Sequence, residues 1–413
     1  MNACRGYAIL VSVMRTKRSY ILILGFAAVL AMPLFFACAN RLLGRSDELH
    51  GVGYSAQTKE ISAEGILDGS VQSSWDDWIS EHIPARATLL KLRNQGIFSV
   101  FNESPNAGVL LCPDGQLIER EYVYKYEKIY PPAAEEYVRD ECDKIAVIRD
   151  RLRAEGKELY IFITPTKPRY YEGSIPEQIR KMQAFPDRPG NYEVLTRVLG
   201  DYDFEVFDSV DHIRSLTEGG DEVMQFPMYQ QTGTHWTWTL GLKTALAFAD
   251  FMDERSAWSF PQGQMIIGST DTPVFPDADL YDILNIYTRP WGNYFNADIV
   301  INEIEAQDAA EDQTGVDSRP DMLVRGGSFL GQTISPLINH GYFRRSMYLE
   351  NTKVYSDNWP DGGTFSEYEE LEPALSEQLK ETDILILEIN EAHVPTMSFG
   401  FIDYLYDHPG VFD

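Results

Sequence analysis

Two almost wholly apolar hexapeptides, Leu159–Thr164 (LYIFIT) and Ile384–Ile389 (ILILEI), constrain the fold more than any other part of the chain. A strand with one wet face alternates apolar and polar residues. These two do not, so they belong in a parallel sheet covered on both faces by helices. The first follows a clear helix at Glu135–Ala154, where Val138, Cys142, Ile145, Ala146 and Leu152 line one side and Gly156 fits a C-terminal cap. Further strands are expected at Glu205–Phe207, closing at Asp208, at Met322–Arg325 and at Lys353–Tyr355. Helices are expected at Thr237–Asp253 and Phe329–Asn339, and a hairpin at Gly108–Ile118 around Pro113-Asp114-Gly115. This alternation implies an α/β sandwich with a mainly parallel sheet. Sites in such sheets form beyond the carboxyl ends of the strands. Ser328, Asp208, Pro165–Lys167 and Asn390–Glu391 are all expected there.

The N-terminus reads differently. Tyr20–Cys38 carries no charge and is about 19 residues long, enough to span a bilayer as a helix. Arg15, Lys17 and Arg18 precede it, which favours a cytoplasmic N-terminus and an exported body. The length of the run and Pro33 within it fit an uncleaved signal anchor. Ala37-Cys38-Ala39 also has the form of a signal-peptidase site. Bulky Phe35 and Phe36 argue against lipid attachment at Cys38. The expected organisation is a cytoplasmic stretch 1–18, a transmembrane anchor 19–39, a polar linker 40–72 and a folded domain 73–413. That domain opens with a helix whose Trp75, Trp78, Ile79, His82 and Ile83 share one face, with His82 packed on it.

The net charge is −28, although the first 45 residues hold Arg5, Arg15, Lys17, Arg18, Arg41 and Arg45 and no acid. The body is therefore strongly acidic, which excludes nucleic-acid binding through phosphates and attraction to anionic lipid. Cys112 and Cys142, the two cysteines of the body, read equally as a disulfide or as free thiols, with Cys142 on a buried helix face. No Cys/His spacing suggests a metal site, and no cofactor is expected.

Two short stretches carry the chemistry. Gly326-Gly327-Ser328-Phe329 follows a strand and opens a helix. The glycines permit a tight turn, and a serine there gains backbone N–H groups that can hold an oxyanion. The same residue would serve equally as an ordinary helix cap. Gly233-Thr234-His235-Trp236 offers a base, or else a histidine packed beside Trp236. Glu391 reads as a solvated loop acid or a cleft residue. Gly327 and Tyr355 are further cleft candidates.

In order, the chain has an anchor, Glu81-His82-Ile83-Pro84-Ala85-Arg86, an Asp114-Gly115 turn, a long helix, LYIFITPTKPRYY, Thr232–Thr237, Gly326–Phe329 and ILILEINE. Over most of residues 73–394 this resembles the alginate O-acetyltransferase (AlgJ/AlgX-like) family and the related bacterial DHHW proteins. The resemblance implies a three-layer fold of the SGNH-hydrolase kind in an extracytoplasmic, single-pass protein of a bacterial cell membrane. It implies transfer of acetyl groups onto hydroxyls of an exported polysaccharide, supplied by a multispanning membrane acyltransferase. Ser328 matches the nucleophile and His235 the base. The family usually carries Asp two residues before the histidine, and this chain has Gly233 there. Another acid such as Asp208, a Ser-His dyad, or a non-catalytic polysaccharide-binding subunit would each account for that departure. An acetyl esterase would use the same residues with water as acceptor.

Overall fold

The computed structural model describes residues 2–44, 48–52, 57–301, 318–356 and 359–412, with only the backbone described in 2–18 and 359–362. The side chains of Cys4 and of the N-terminal basic residues, and parts of the expected linker, lie outside the described residues. The chain divides into two compact units, one of residues 1–106 with 282–289, the other of 107–281 with 290–413.

The first unit is helical. Helix Asn2–Leu43 contains Ser19–Leu43, the one stretch among the described residues long and apolar enough to cross a membrane. The expected linker holds a short helix at Ala63–Leu67, capped by Ser62, whose Oγ accepts from the Gly65 amide. The expected Trp/Ile helix runs Ser70–His82. His82 packs on the expected face, against Trp78, though that face is open to solvent there. It is exposed, stacks on the Trp78 ring at 4.2 Å between centroids, and its Nδ1 lies 2.8 Å from the Trp78 carbonyl.

The second unit carries eleven strands among its described residues. In chain order they are β1 (Val109–Leu111), β2 (Leu117–Glu119), β3 (Glu158–Thr164), β4 (Glu205–Asp208), β5 (Gly263–Thr270), β6 (Tyr294–Ile301), β7 (Asp321–Gly326), β8 (Arg345–Glu350), β9 (Lys353–Ser356), β10 (Trp359–Thr364) and β11 (Ile384–Asn390). Seven form one sheet in the order β10-β9-β8-β7-β11-β3-β4. From β8 to β4 every pairing is parallel, while β9 and β10 run antiparallel at one edge.

Successive residues of the central strands serve opposite faces. Leu159, Ile161, Ile163, Leu385 and Leu387 join the core under helices Glu135–Ala154, Asn191–Leu199 and Glu372–Glu381. Tyr160, Phe162, Ile384 and Ile386 join the core under Ser209–Gly219 and Trp238–Asp253. Both faces are covered, which is why LYIFIT and ILILEI show no alternation. This is the mixed α/β, three-layer arrangement expected from the sequence. The β5–β6 hairpin is separate from the sheet and adds Ala297 and Ile299 to the second core. Cys112 and Cys142 are buried free thiols in different clusters. The Asp114-Gly115 turn joins β1 to β2, with Gly115 at φ +85°, a conformation that favours glycine.

Candidate active site

Strand β7 ends at Gly326, and the chain turns at once into a 3-10 helix, Ser328–Gln332, rather than the single α-helix expected from Phe329. The α-helix begins only at Ile334. Gly326 is required by space: a Cβ there would lie 2.6 Å from Leu330 Cδ1 and 2.8 Å from Glu388 Cβ. The turn is buttressed from below. Glu388 of β11 accepts from the Gly327 amide at 2.6 Å and from the Thr164 hydroxyl of β3. Burial holds the Glu388 carboxyl above the usual carboxylate range, against the opposing pull of these donors and of Arg325. The Gly327 carbonyl accepts from Tyr348 Oη at 2.6 Å. Ser328 is thus held by strands on both sides of its own.

His235 sits just before helix Trp238–Asp253, which Thr237 caps through its hydroxyl to the Leu240 amide. Its Nε2 lies 2.7 Å from Ser328 Oγ, although 93 residues separate the two in the chain. Its Nδ1 lies 2.5 Å from Asp279 Oδ2. A carboxylate only accepts, so Nδ1 carries the proton and Nε2 is free to accept from the serine hydroxyl. Asp279 is fixed in turn: its Oδ1 accepts from the Thr234 amide at 2.8 Å and the Leu280 amide at 2.7 Å. A serine, a histidine and an orienting carboxylate are in line, an arrangement able to perform nucleophilic acyl transfer. The Trp236 indole N–H donates to the Phe329 carbonyl at 2.9 Å and locks the histidine loop to the serine turn.

The carboxylate that Gly233 does not supply comes from Asp279, 44 residues beyond His235. Gly233 is flush against that same segment: a Cβ there would lie 2.8 Å from the Asp277 carbonyl oxygen and 3.0 Å from that of Pro276. The glycine lets residues 276–279 run close enough for Asp279 to reach the ring.

Asp208 stands elsewhere. It ends β4, the edge strand, three places from β7 in the sheet, and at about 4.8 Å per strand this puts it roughly 14 Å from the end of β7. It caps helix Ser209–Gly219 through the Val210 amide and accepts from Tyr192 Oη at 2.8 Å. Glu391 is not a solvated loop acid. It is buried, accepts from the amide and hydroxyl of Thr166, both at 2.7 Å, and pairs with Arg169 on the wall of a cavity of about 360 Å³. Tyr355 lies on β9 and lines a second cavity. Nothing in the sequence around Asp279, FPDADLYD, marks it from Asp277 or Asp282. It was found only by tertiary proximity.

Lys167 also escaped notice as more than a strand-end residue. Its ammonium is wholly buried and donates to the carbonyls of Leu117 (2.7 Å), Gln230 (2.6 Å), Gly233 (2.9 Å) and, more weakly, Gln231 (3.3 Å). Burial pushes its pKa down to about 7, while the charge of Asp279 pulls the other way. Lys167→Met keeps the length of the side chain but leaves these carbonyls unmet. It is expected to lower stability by about 3 kcal/mol in a denaturant melt.

Two further carboxyls flank the site. Burial raises Glu119 to about 7 and Asp277 to about 6. Asp277 is 3% exposed, and a carboxyl raised in the folded state makes a contribution that is full below its unfolded value near 3.8 and lost as pH rises through about 6. Asp277→Asn is expected to raise the melting temperature above pH 6 and to leave it unchanged near pH 3.5. Thermal unfolding across pH 3.5–8 checks this.

No family model matches the sequence, and no curated protein matches it. Among solved structures it is similar to the O-acetyltransferase domain of Pseudomonas putida AlgJ, with 17% identity over 73% of this chain and 99% of that one and a TM-score of 0.48. It is similar to Bacillus cereus PatB1, with 11% identity over 70% and 98% and a TM-score of 0.43. Pseudomonas aeruginosa AlgX gives 14% identity over 71% and 67% with a TM-score of 0.39.

Proposed function

We propose that this protein is a membrane-anchored O-acetyltransferase that moves acetyl groups onto hydroxyls of an exported polysaccharide. The observation that carries the reading is the unbroken hydrogen-bonded line Ser328–His235–Asp279. Ser328 Oγ attacks the carbonyl carbon of an acetyl donor while His235 Nε2 takes its proton. Asp279 holds the ring and stabilises the imidazolium. The Gly327 amide is committed to Glu388, so the donors for the developing oxyanion would be the amides that follow it in the Ser328 turn. Collapse of the tetrahedral intermediate breaks the bond to the leaving group, which receives the proton from His235. A sugar hydroxyl then attacks the acetyl carbonyl carbon, giving its proton to Nε2, and the bond from that carbon to Ser328 Oγ breaks as Oγ takes the proton back from His235.

The acetyl and polysaccharide parts of this reading rest on the sequence motifs that resemble the alginate O-acetyltransferase family. So do the multispanning acyltransferase as donor and a body placed outside the cytoplasmic membrane by the Ser19–Leu43 helix. Gly233 was the feature favouring a non-catalytic binding subunit, and with Asp279 at the ring nitrogen it no longer does so.

The test is an incubation with an activated acetyl ester. The wild-type protein is expected to release the leaving group and to carry one acetyl mass increment on Ser328, and Ser328→Ala to carry none. Added polysaccharide is expected to clear the label faster than water alone. Clearance by water at the same rate would make the protein an esterase, and absence of any label would remove the acyl-serine reading.

A further inference from the structure

A cavity of about 580 Å³ opens beside the Ser328–Gln332 turn. Its walls include Trp238, three residues beyond His235, with Phe275, Gln332, Tyr348, Glu350 and Tyr355. Tyr348 is the residue whose hydroxyl holds the Gly327 carbonyl, so the cavity wall is tied to the residue before the nucleophile.

Three features decide what it can hold. Phe275 and Tyr355 are 79% and 43% exposed, and the Trp238 indole N–H is fixed on the Phe275 carbonyl at 2.8 Å. Flat aromatic faces held open in this way suit the C–H faces of pyranose rings, apolar on one side and edged with hydroxyls. Second, Gln332 is 3% exposed, yet its Oε1 has no hydrogen-bond partner. An unmet buried acceptor is costly and is satisfied by an O–H or N–H brought by a ligand. Third, no Lys, Arg or His is among the described residues lining the cavity, and its one charged group is Glu350. The protein as a whole carries −28. A polyanionic glycan would bring carboxylates against an acidic wall with no cation to meet them. The cavity beside Glu391 does not supply that cation. Its Arg169 is paired with Glu391, its Lys125 with Glu121, and its Lys128 with the carbonyls of Pro186 and Arg188.

We infer that the acetyl acceptor is an uncharged glycan, a polymer of hexoses or N-acetylhexosamines, stacked on Trp238, Phe275 and Tyr355 with a hydroxyl or amide N–H donating to Gln332 Oε1. The role of acceptor rests on the acetyl-serine reading above. Binding does not require that chemistry, so the two are tested separately.

The experiment is calorimetric titration of the full-length Ser328→Ala protein in detergent micelles at about 0.15 M salt, where long-range repulsion is screened. The probes are hexamers of β-1,4-linked glucose, N-acetylglucosamine and mannuronate. At least one neutral hexamer is expected to bind, with the mannuronate hexamer at least tenfold weaker. Phe275→Ala and Tyr355→Ala, which alter exposed side chains and leave the core intact, are each expected to weaken the neutral hexamer at least fivefold. Gln332→Ala is expected to weaken it too. Equal or tighter binding of the mannuronate hexamer, or neutral binding indifferent to Phe275 and Tyr355, overturns the inference. Acetyl label on wild-type Ser328 without any neutral-glycan binding overturns it while leaving the acetyl reading standing. No label overturns the acetyl reading and with it the acceptor role, and binding of a neutral hexamer then shows a glycan site without that chemistry.

Discussion

Asp279→Asn is expected to lower the rate of acetyl-serine formation by about four orders of magnitude with little change in stability. The substituted amide presents N–H groups to Nδ1 in place of a carboxylate. The ring then favours the tautomer with its proton on Nε2, and Nε2 can no longer accept from Ser328 Oγ, now 2.7 Å away. The size is that of a lost orienting carboxylate in serine hydrolases generally, about 5 kcal/mol of transition-state stabilisation. Leaving-group release from the activated ester measures it. Asp208→Asn is the control. Asparagine still caps the helix but loses one acceptor for the Tyr192 hydroxyl, so it is expected to cost about 1 kcal/mol of stability and less than twofold in rate. Equal losses in the two variants would remove Asp279 from the mechanism.

Gly233→Asp restores the residue type usual two positions before the histidine in the family that the motifs resemble, and it is expected to do harm. Its Cβ would press on the backbone of Pro276 and Asp277, at 3.0 and 2.8 Å from their carbonyl oxygens. Backbone atoms cannot rotate away as a side-chain tip can. Overpacking of this kind costs about 2 kcal/mol. The segment it displaces carries Asp279, and a shift of about 1 Å at a catalytic group is worth roughly a hundredfold in rate. Both losses are expected together in thermal melts and in the labelling assay. Gly233→Asp with Asp279→Ala is expected to stay as slow as Asp279→Ala alone. Full activity in Gly233→Asp would show that the space is not needed.

What could be read from the sequence followed from how each residue is buried. Strands β3 and β11 and helix Glu135–Ala154 were legible because a doubly covered strand is mostly apolar without alternation and an amphipathic helix is periodic. Strand β8, RSMYLE, was missed because it opens on Arg345 and Ser346, whose polarity hides a parallel strand. The β5–β6 hairpin was missed because its strands lie far apart in sequence and only half of each is covered. The helix expected from Phe329 is a 3-10 helix that ends at Gln332 and an α-helix that starts at Ile334, a break that the apolar spacing concealed. Ser328 and His235 stood out through their glycine neighbours. Asp279 did not, because its role depends on a loop crossing that leaves no periodic trace. Lys167 did not, because a lysine after a strand looks like a solvated end, whereas four carbonyls from two distant segments surround it.

The Glu388 carboxylate has a wider consequence. It sits on β11, between β3 and β7, and grips Thr164 on one neighbour and Gly327 at the end of the other. A brace laid across three strand ends prevents them from spreading apart. The floor of the cleft is therefore a stiff plate whose width is set when the chain folds. Molecules that do not match it must be turned away by shape rather than accommodated.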